Sequence, residues 1–259
     1  MTTRRHCQRI AALLLGACAP ACYAADIGIL TPAQPTLSVT VGWAPLETHT
    51  LGLVTAAKSG QKGELNGWAA RDKLDLSGSL AQHLIASLSN SGHSAVAISV
   101  TRKSPDAKRP IARDEIPATP PANVLLDVTL AYAGLYSPTD LESLSPALLV
   151  DYRWLTPRGD LIQGTRLIIY NRGMADLVRR HGVPGLFYPL TRQDTTPYID
   201  ADPDCRFKSF KAVEKDAAKL WACFDAGLVK VADHIAQDVP SSRSPSGGMT
   251  SERPPEDRP

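Results

Sequence analysis

LLVDYRWLTPRGDLIQGTRLIIY, residues 148–170, is the stretch whose reading decides the fold. Leu148, Val150, Tyr152 and Trp154 alternate with Leu149, Asp151, Arg153 and Leu155, the period of a strand with two distinct faces. Thr156-Pro157-Arg158-Gly159-Asp160 then supplies turn chemistry, and Ile162–Tyr170 returns with Leu167, Ile168 and Ile169 at its centre. Proline sets one turn dihedral and glycine admits a left-handed one, so two alternating runs joined this way predict an antiparallel hairpin. Just upstream, Leu126, Val128, Leu130 and Tyr132 alternate with Asp127, Thr129 and Ala131, up to a break at Ser137-Pro138. Three consecutive strands follow from this.

Working outward, the N-terminal half offers a strand at Leu37, Val39, Val41 and Trp43. Leu51, Leu53 and Val54 suggest a further strand, and residues 58–67 read as a loop. Leu76, Leu80, Leu84 and Leu88, widened by Ala81 and Ile85, form a helical stripe; Asp75 or Ser77 can cap its start and Gly92 can close its end. Ala95–Val100 reads as a short buried strand. Residues 102–122 hold five prolines and read as a solvated loop. Residues 171–208 are irregular apart from a helical turn at Met174–Arg180, and a loop of that length is often functional. Val213, Ala217, Leu220, Trp221, Phe224, Leu228, Val231 and Ile235 recur at three and four within Lys211–Asp238, a long amphipathic helix in which Asp216 marks a fresh N-cap. The fold class expected is α+β: a two-layer sandwich of a mainly antiparallel sheet covered by two amphipathic helices.

The opening residues have a different character. Arg4, Arg5 and Arg9 precede an apolar run from Ile10 to Ala17, and small residues follow to Ala25, with no acid before Asp26. This is the layout of a secretory signal, and the run is too short to span a bilayer. Two processing routes are open. Cleavage between Ala24 and Ala25 gives a soluble product, whereas Leu15-Gly16-Ala17-Cys18 resembles a bacterial lipobox that would leave a lipidated Cys18. The domain organisation expected is a signal peptide at 1–24, one domain at 25–239 and a disordered tail at 240–259.

Removing residues 1–24 takes away three arginines, so 28 basic and 26 acidic residues become 25 and 26. The slight basicity belongs to the leader, and a nucleic-acid partner, which needs a basic stripe, is not expected. No second apolar run reaches membrane-spanning length. Cleavage before Ala25 leaves two cysteines, Cys205 and Cys223, an even pair expected to bond in an oxidising compartment and to contribute roughly 3 kcal/mol by closing a short loop.

Catalytic and cofactor motifs do not emerge. His49, His83, His93, His181 and His234 have no metal-ligand spacing, and Leu76-Ser77-Gly78-Ser79 lacks the glycines of a nucleophile elbow. Asp200-Ala201-Asp202-Pro203-Asp204 begins like a calcium loop, but Cys205 stands where glycine is needed and Lys211 where the bidentate glutamate belongs. No metal, cofactor or catalytic residue is therefore assigned. Tyr132, Tyr136, Tyr152, Trp154 and Tyr170 lie on or beside strands, as core or as an aromatic binding face.

Trp68 ahead of the Leu76–Leu88 helix, Val124-Leu125-Leu126-Asp127-Val128, the 148–170 hairpin and a closing helix ending His234-Ile235-Ala236 form a recognisable order. The chain resembles envelope lipoproteins of Gram-negative bacteria, namely the auxiliary lipoproteins of ABC-type lipid-trafficking systems and, more loosely, outer-membrane assembly lipoproteins with a two-layer α/β domain. The resemblance implies a non-enzymatic role in partner binding. The expectation is an exported accessory protein, periplasmic or outer-membrane-associated, with a protein or lipid partner. Two rivals stand beside it: a secreted hydrolase built from the 171–208 loop, and a small-ligand module using the aromatic strand face.

Overall fold

The computed structural model describes residues 25–41, 48–103, 109–138, 143–181 and 196–240. The leader with Cys18 and Ala24, Trp43 of the expected strand, residues 104–108 and 182–195 of the two expected loops, residues 139–142, and the tail beyond Pro240 lie outside the described residues. The 148–170 hairpin is present: β5 (Ser145–Leu155) pairs antiparallel with β6 (Leu161–Tyr170). Its turn closes through the Thr156 N–H donating to the Asp160 carbonyl at 2.8 Å, and Gly159 adopts φ +83°, a conformation that favours glycine. β4 (Ala122–Ser137) runs antiparallel along the other side of β5 from Leu125↔Leu155 to Tyr136↔Ser145.

The rest of the sheet is not antiparallel. β1 (Ala25–Leu30) lies parallel to the first part of β4, from Ala25↔Ala122 to Leu30↔Asp127. Further along the same edge, β2 (Ser38–Val41) pairs parallel with Gly134–Ser137. β3 (Ala95–Ile98) is parallel to β1, and the short β7 (Tyr198–Ile199) is parallel to the end of β6. The order is β3-β1-β4-β5-β6-β7, a mixed seven-stranded sheet in place of the mainly antiparallel one expected. β1 was not foreseen: Ile27 and Ile29 alternate with Asp26 and Gly28 over too few residues to stand out. Nor is β3 a buried strand. It sits at the sheet edge with Val96 exposed.

Helices pack on one face. α2 (Leu76–Asn90) is capped by Asp75, whose carboxylate accepts from the Gly78 N–H at 2.8 Å, and Gly92 ends it with φ +86°. Residues 210–236 divide at Asp216 into α4 (Phe210–Lys215) and α5 (Ala217–Ala236), where Asp216 accepts from the Lys219 N–H as N-cap. Leu80, Leu84 and Leu88 of α2 and Leu220, Phe224, Leu228, Val231 and Ile235 of α5 pack with Ile27, Ile29, Val128, Val150, Trp154 and Ile168 of the sheet in the main core. His83 with Asp225, and the Ser87 hydroxyl donating to Asp233, link the two helices.

Residues read as a strand and a loop belong instead to α1 (Thr48–Arg71). Gly60, Gly63 and Gly67 lower its intrinsic helicity, so tertiary contacts hold it. Leu65 is buried, Trp68 stacks on Phe210 with ring centroids 5.1 Å apart, and the Asn66 amide clasps both backbone groups of Leu37.

The opposite face is also covered, so the molecule exceeds two layers. α3 (Arg172–His181) contains the anticipated helical turn and buries Met174, Ala175, Leu177 and Val178 against Ala131, Tyr136, Ala147, Leu149 and Ile169. The 102–122 segment does more than skirt the surface: Ile111 is buried with Leu30, Ile98, Leu125 and Leu155.

Candidate functional site

Between those two covers, strand alternation places a row of polar side chains on the back face of β4 and β5. Leu126, Val128 and Leu130 go to the main core, so Asp127 and Thr129 go to the other side; Asp151 and Arg153 do the same on β5. The pairing sets Asp127 opposite Arg153 and Thr129 opposite Asp151. In a sheet with one wet face these residues would be solvated. Here α3 packs on the neighbouring Leu149 and Ile169, Ile111 is hydrogen-bonded to Asp127 and Arg153, and Asp127 is 2% and Asp151 5% exposed.

The two carboxylates have different surroundings. Asp127 accepts from the Arg153 Nε at 2.9 Å, from the Ile111 N–H at 3.0 Å and, more distantly, from Arg102 Nη2 at 3.4 Å. Arg153 also donates to the Ile111 carbonyl, and Arg102 to that of Arg109, so two guanidinium groups tie the 102–111 segment to the sheet. Asp151 has no such cation among the described residues. Its Oδ2 is buried with no hydrogen-bond partner among the described residues. Burial, and then the neighbouring negative charge of Asp127, push its carboxyl from 3.8 up to about 7. A buried carboxyl pushed upward in this way is a strongly perturbed group, and such groups concentrate at functional sites.

A second feature lies at the outer side of β6. β7 pairs only with Ile169 and Tyr170, so among the described residues the outer edge of Leu161–Ile168 has no strand partner. Leu161 is 58% exposed and Ile162 44% exposed on this edge. An edge strand presents a row of N–H and C=O groups ready to pair, and exposed aliphatic side chains add apolar area to that template.

The expected sulfur chemistry is present. Cys205 and Cys223 form a disulfide that fastens the 3-10 turn Pro203–Cys205 to α5. Asp202 accepts from the Asp204 N–H as cap of that turn, so the acidic run has a structural use. Of the strand aromatics, Trp154, Tyr152, Tyr170 and Tyr136 are buried, and Tyr132 is half-buried against the α3 cluster. Of the 171–208 region, the described parts are α3, β7 and the disulfide-bonded turn. Ala25 opens β1, its N–H donating to the Pro121 carbonyl at 3.0 Å. Among the described residues no helix is long and apolar enough to cross a membrane.

Sequence reading missed the Asp127–Asp151 row because both aspartates occupy the polar half of an alternating strand, the position that ordinarily faces water. The available signal was an arginine two residues after Asp151 and an aspartate on the preceding strand; their opposition depends on register. The fold and its two features define an α+β domain with a buried acid pair and a sheet edge that, among the described residues, has no strand partner. No protein-family model matches the chain, and no curated protein matches it.

Proposed function

We propose that the protein is an exported accessory protein of the periplasm or outer membrane that acts through protein or lipid contacts and not by catalysis. The observation that carries this reading is the outer edge of β6, which has no strand partner among the described residues. Strand addition to such an edge gives affinity through main-chain hydrogen bonds and specificity through alternate side chains. Leu161 and Ile162 are the apolar contacts that a partner strand would cover.

Two further facts support export. The leader has the tripartite layout of a signal, and the Cys205–Cys223 disulfide suits an oxidising compartment. Cleavage before Ala25 keeps β1 whole, while processing at Cys18 would place a short tether ahead of it. The buried position of Asp151 favours a structural over a catalytic role for its proton, since a general acid must reach its substrate.

The test is site-specific photocrosslinking in envelope fractions, with the probe at Ile162 or, as a control, at the exposed Lys62 of α1. Peptide mass spectrometry of the same material reads the N-terminus. A discrete adduct from Ile162 only, on a chain beginning at Ala25 or lipidated Cys18, is expected. Equal labelling from both positions would refute the edge as the contact. A full-length chain retaining Met1 in the cytosol would refute export.

A further inference from the structure

We propose that the hollow beside the disulfide is a binding site for a phosphate-bearing anion, gripped by Arg206 and Lys208. The hollow has a volume of about 530 Å³ and is lined by Ser143, Arg206, Phe207 and Lys208. This inference stands apart from the β6 edge, because it rests on different residues at a different place in the fold.

The chain is held firmly on both sides of these cations. Cys205 is bonded to α5, and Phe207 is buried and makes a two-way backbone bridge with Leu144, the Leu144 N–H donating to the Phe207 carbonyl at 2.7 Å and the Phe207 N–H to the Leu144 carbonyl at 2.8 Å. Arg206, extended with φ −98° and ψ 135°, lies between these two anchors, and Lys208 follows directly. Extended backbone sends alternate side chains to opposite sides, so Phe207 enters the core while Arg206 and Lys208 share the other side. Both are exposed, and neither makes an ion pair or hydrogen bond among the described residues. Ser143, immediately before Leu144, adopts φ +56°, a conformation a serine seldom takes.

Residues 200–219 hold Arg206, Lys208, Lys211, Lys215 and Lys219 against Asp200, Asp202, Asp204, Glu214 and Asp216, so the grip rests on the placement of Arg206 and Lys208 and not on a regional excess of charge. Asp216 is engaged as the cap of α5, and the Lys219 ammonium lies 5.5 Å from the Phe207 ring centroid. A guanidinium offers a planar fork that matches two phosphate oxygens, and an ammonium adds a mobile point charge. Anchored backbone lowers the ordering cost of gripping an anion with two otherwise free side chains.

Phosphate on a lipid headgroup and phosphate on a soluble compound present the same chemistry, so the experiment has two arms. The chain from Ala25, disulfide intact, is titrated with inorganic phosphate while the Arg206 and Lys208 amide resonances are followed. Separately, its flotation with phosphatidylglycerol vesicles is compared with phosphatidylcholine vesicles. The variants are Arg206→Gln/Lys208→Gln together and, as a charge-matched control pair, Lys62→Gln/Lys73→Gln. Loss of two cations from a phosphate grip is expected to weaken binding by about tenfold or more, with the control pair within about twofold. Binding in both arms, or to phosphatidylglycerol vesicles only, assigns a lipid headgroup. Binding to inorganic phosphate without vesicle flotation assigns a soluble phosphorylated ligand. Absence of binding in both arms, or equal weakening by the two variant pairs, overturns the proposal.

Discussion

Replacing Asp151 by asparagine should stabilise the protein, and by an amount that depends on pH. The unfolded chain releases the Asp151 proton near 3.8, whereas the folded protein retains it to about 7. For a carboxyl raised in the folded state, its favourable contribution is complete below about pH 3.8, falls as pH rises from there to about 7, and stays lost above that. At about 1.4 kcal/mol for each pH unit, the rise corresponds to about 4 kcal/mol of destabilisation at alkaline pH. Asparagine has nearly the same shape and never ionises. The groups facing Asp151 remain in the variant: the Asp127–Arg153 pair, Thr129 and Leu167. Urea unfolding of both proteins between pH 4 and pH 9 measures the effect, because their difference removes the other titrating groups. The two should agree within about 1 kcal/mol at pH 4 and diverge toward about 4 kcal/mol at pH 8 to 9 in favour of asparagine. A constant difference across that range would show that Asp151 is solvated or paired in the folded protein. It would also dismantle the account of how the back face is closed.

Three other perturbations test neighbouring parts of the structure. Asp127→Ala should act in the opposite sense to Asp151→Asn, costing about 3–5 kcal/mol in the same urea assay, because it leaves Arg102 and Arg153 without their shared carboxylate. Removing the disulfide with Cys205→Ala, Cys223→Ala or both should lower stability by about 3 kcal/mol, with the double variant close to either single one, as thermal unfolding under non-reducing conditions would reveal. Gly134→Ala should cost about 1–3 kcal/mol and release the amides of β2 to hydrogen exchange, because its Cβ would collide with the Ser38 carbonyl oxygen; Gly164→Ala, with open space at its Cβ, should leave those amides protected.

The elements that were legible in the sequence are those specified by near neighbours. The 148–170 hairpin carries its own alternation and its own turn, and α2 carries its stripe with a cap at Asp75 and a stop at Gly92. Asp216 announced the break between α4 and α5 for the same reason: a capping carboxylate reaches only the first turn of its own helix. Cys205 and Cys223 were paired from their number and short separation once a secretory compartment was inferred.

What only the tertiary structure decided involves residues far apart in the chain. β1 finds its partners at Ala95–Ile98 and Ala122–Asp127, and parallel pairing leaves no local turn signature, so the mixed character of the sheet was invisible. α1, with its glycines, is held by Leu65, Trp68 and Asn66 against distant segments. The state of Asp151 is the sharpest case. Alternation along β5 dictates which face it occupies, but whether that face meets water depends on the distant segments packed on it, such as α3 and the stretch around Ile111. Side-chain direction is a property of the local backbone, while the dielectric around a charge is set by everything packed nearby.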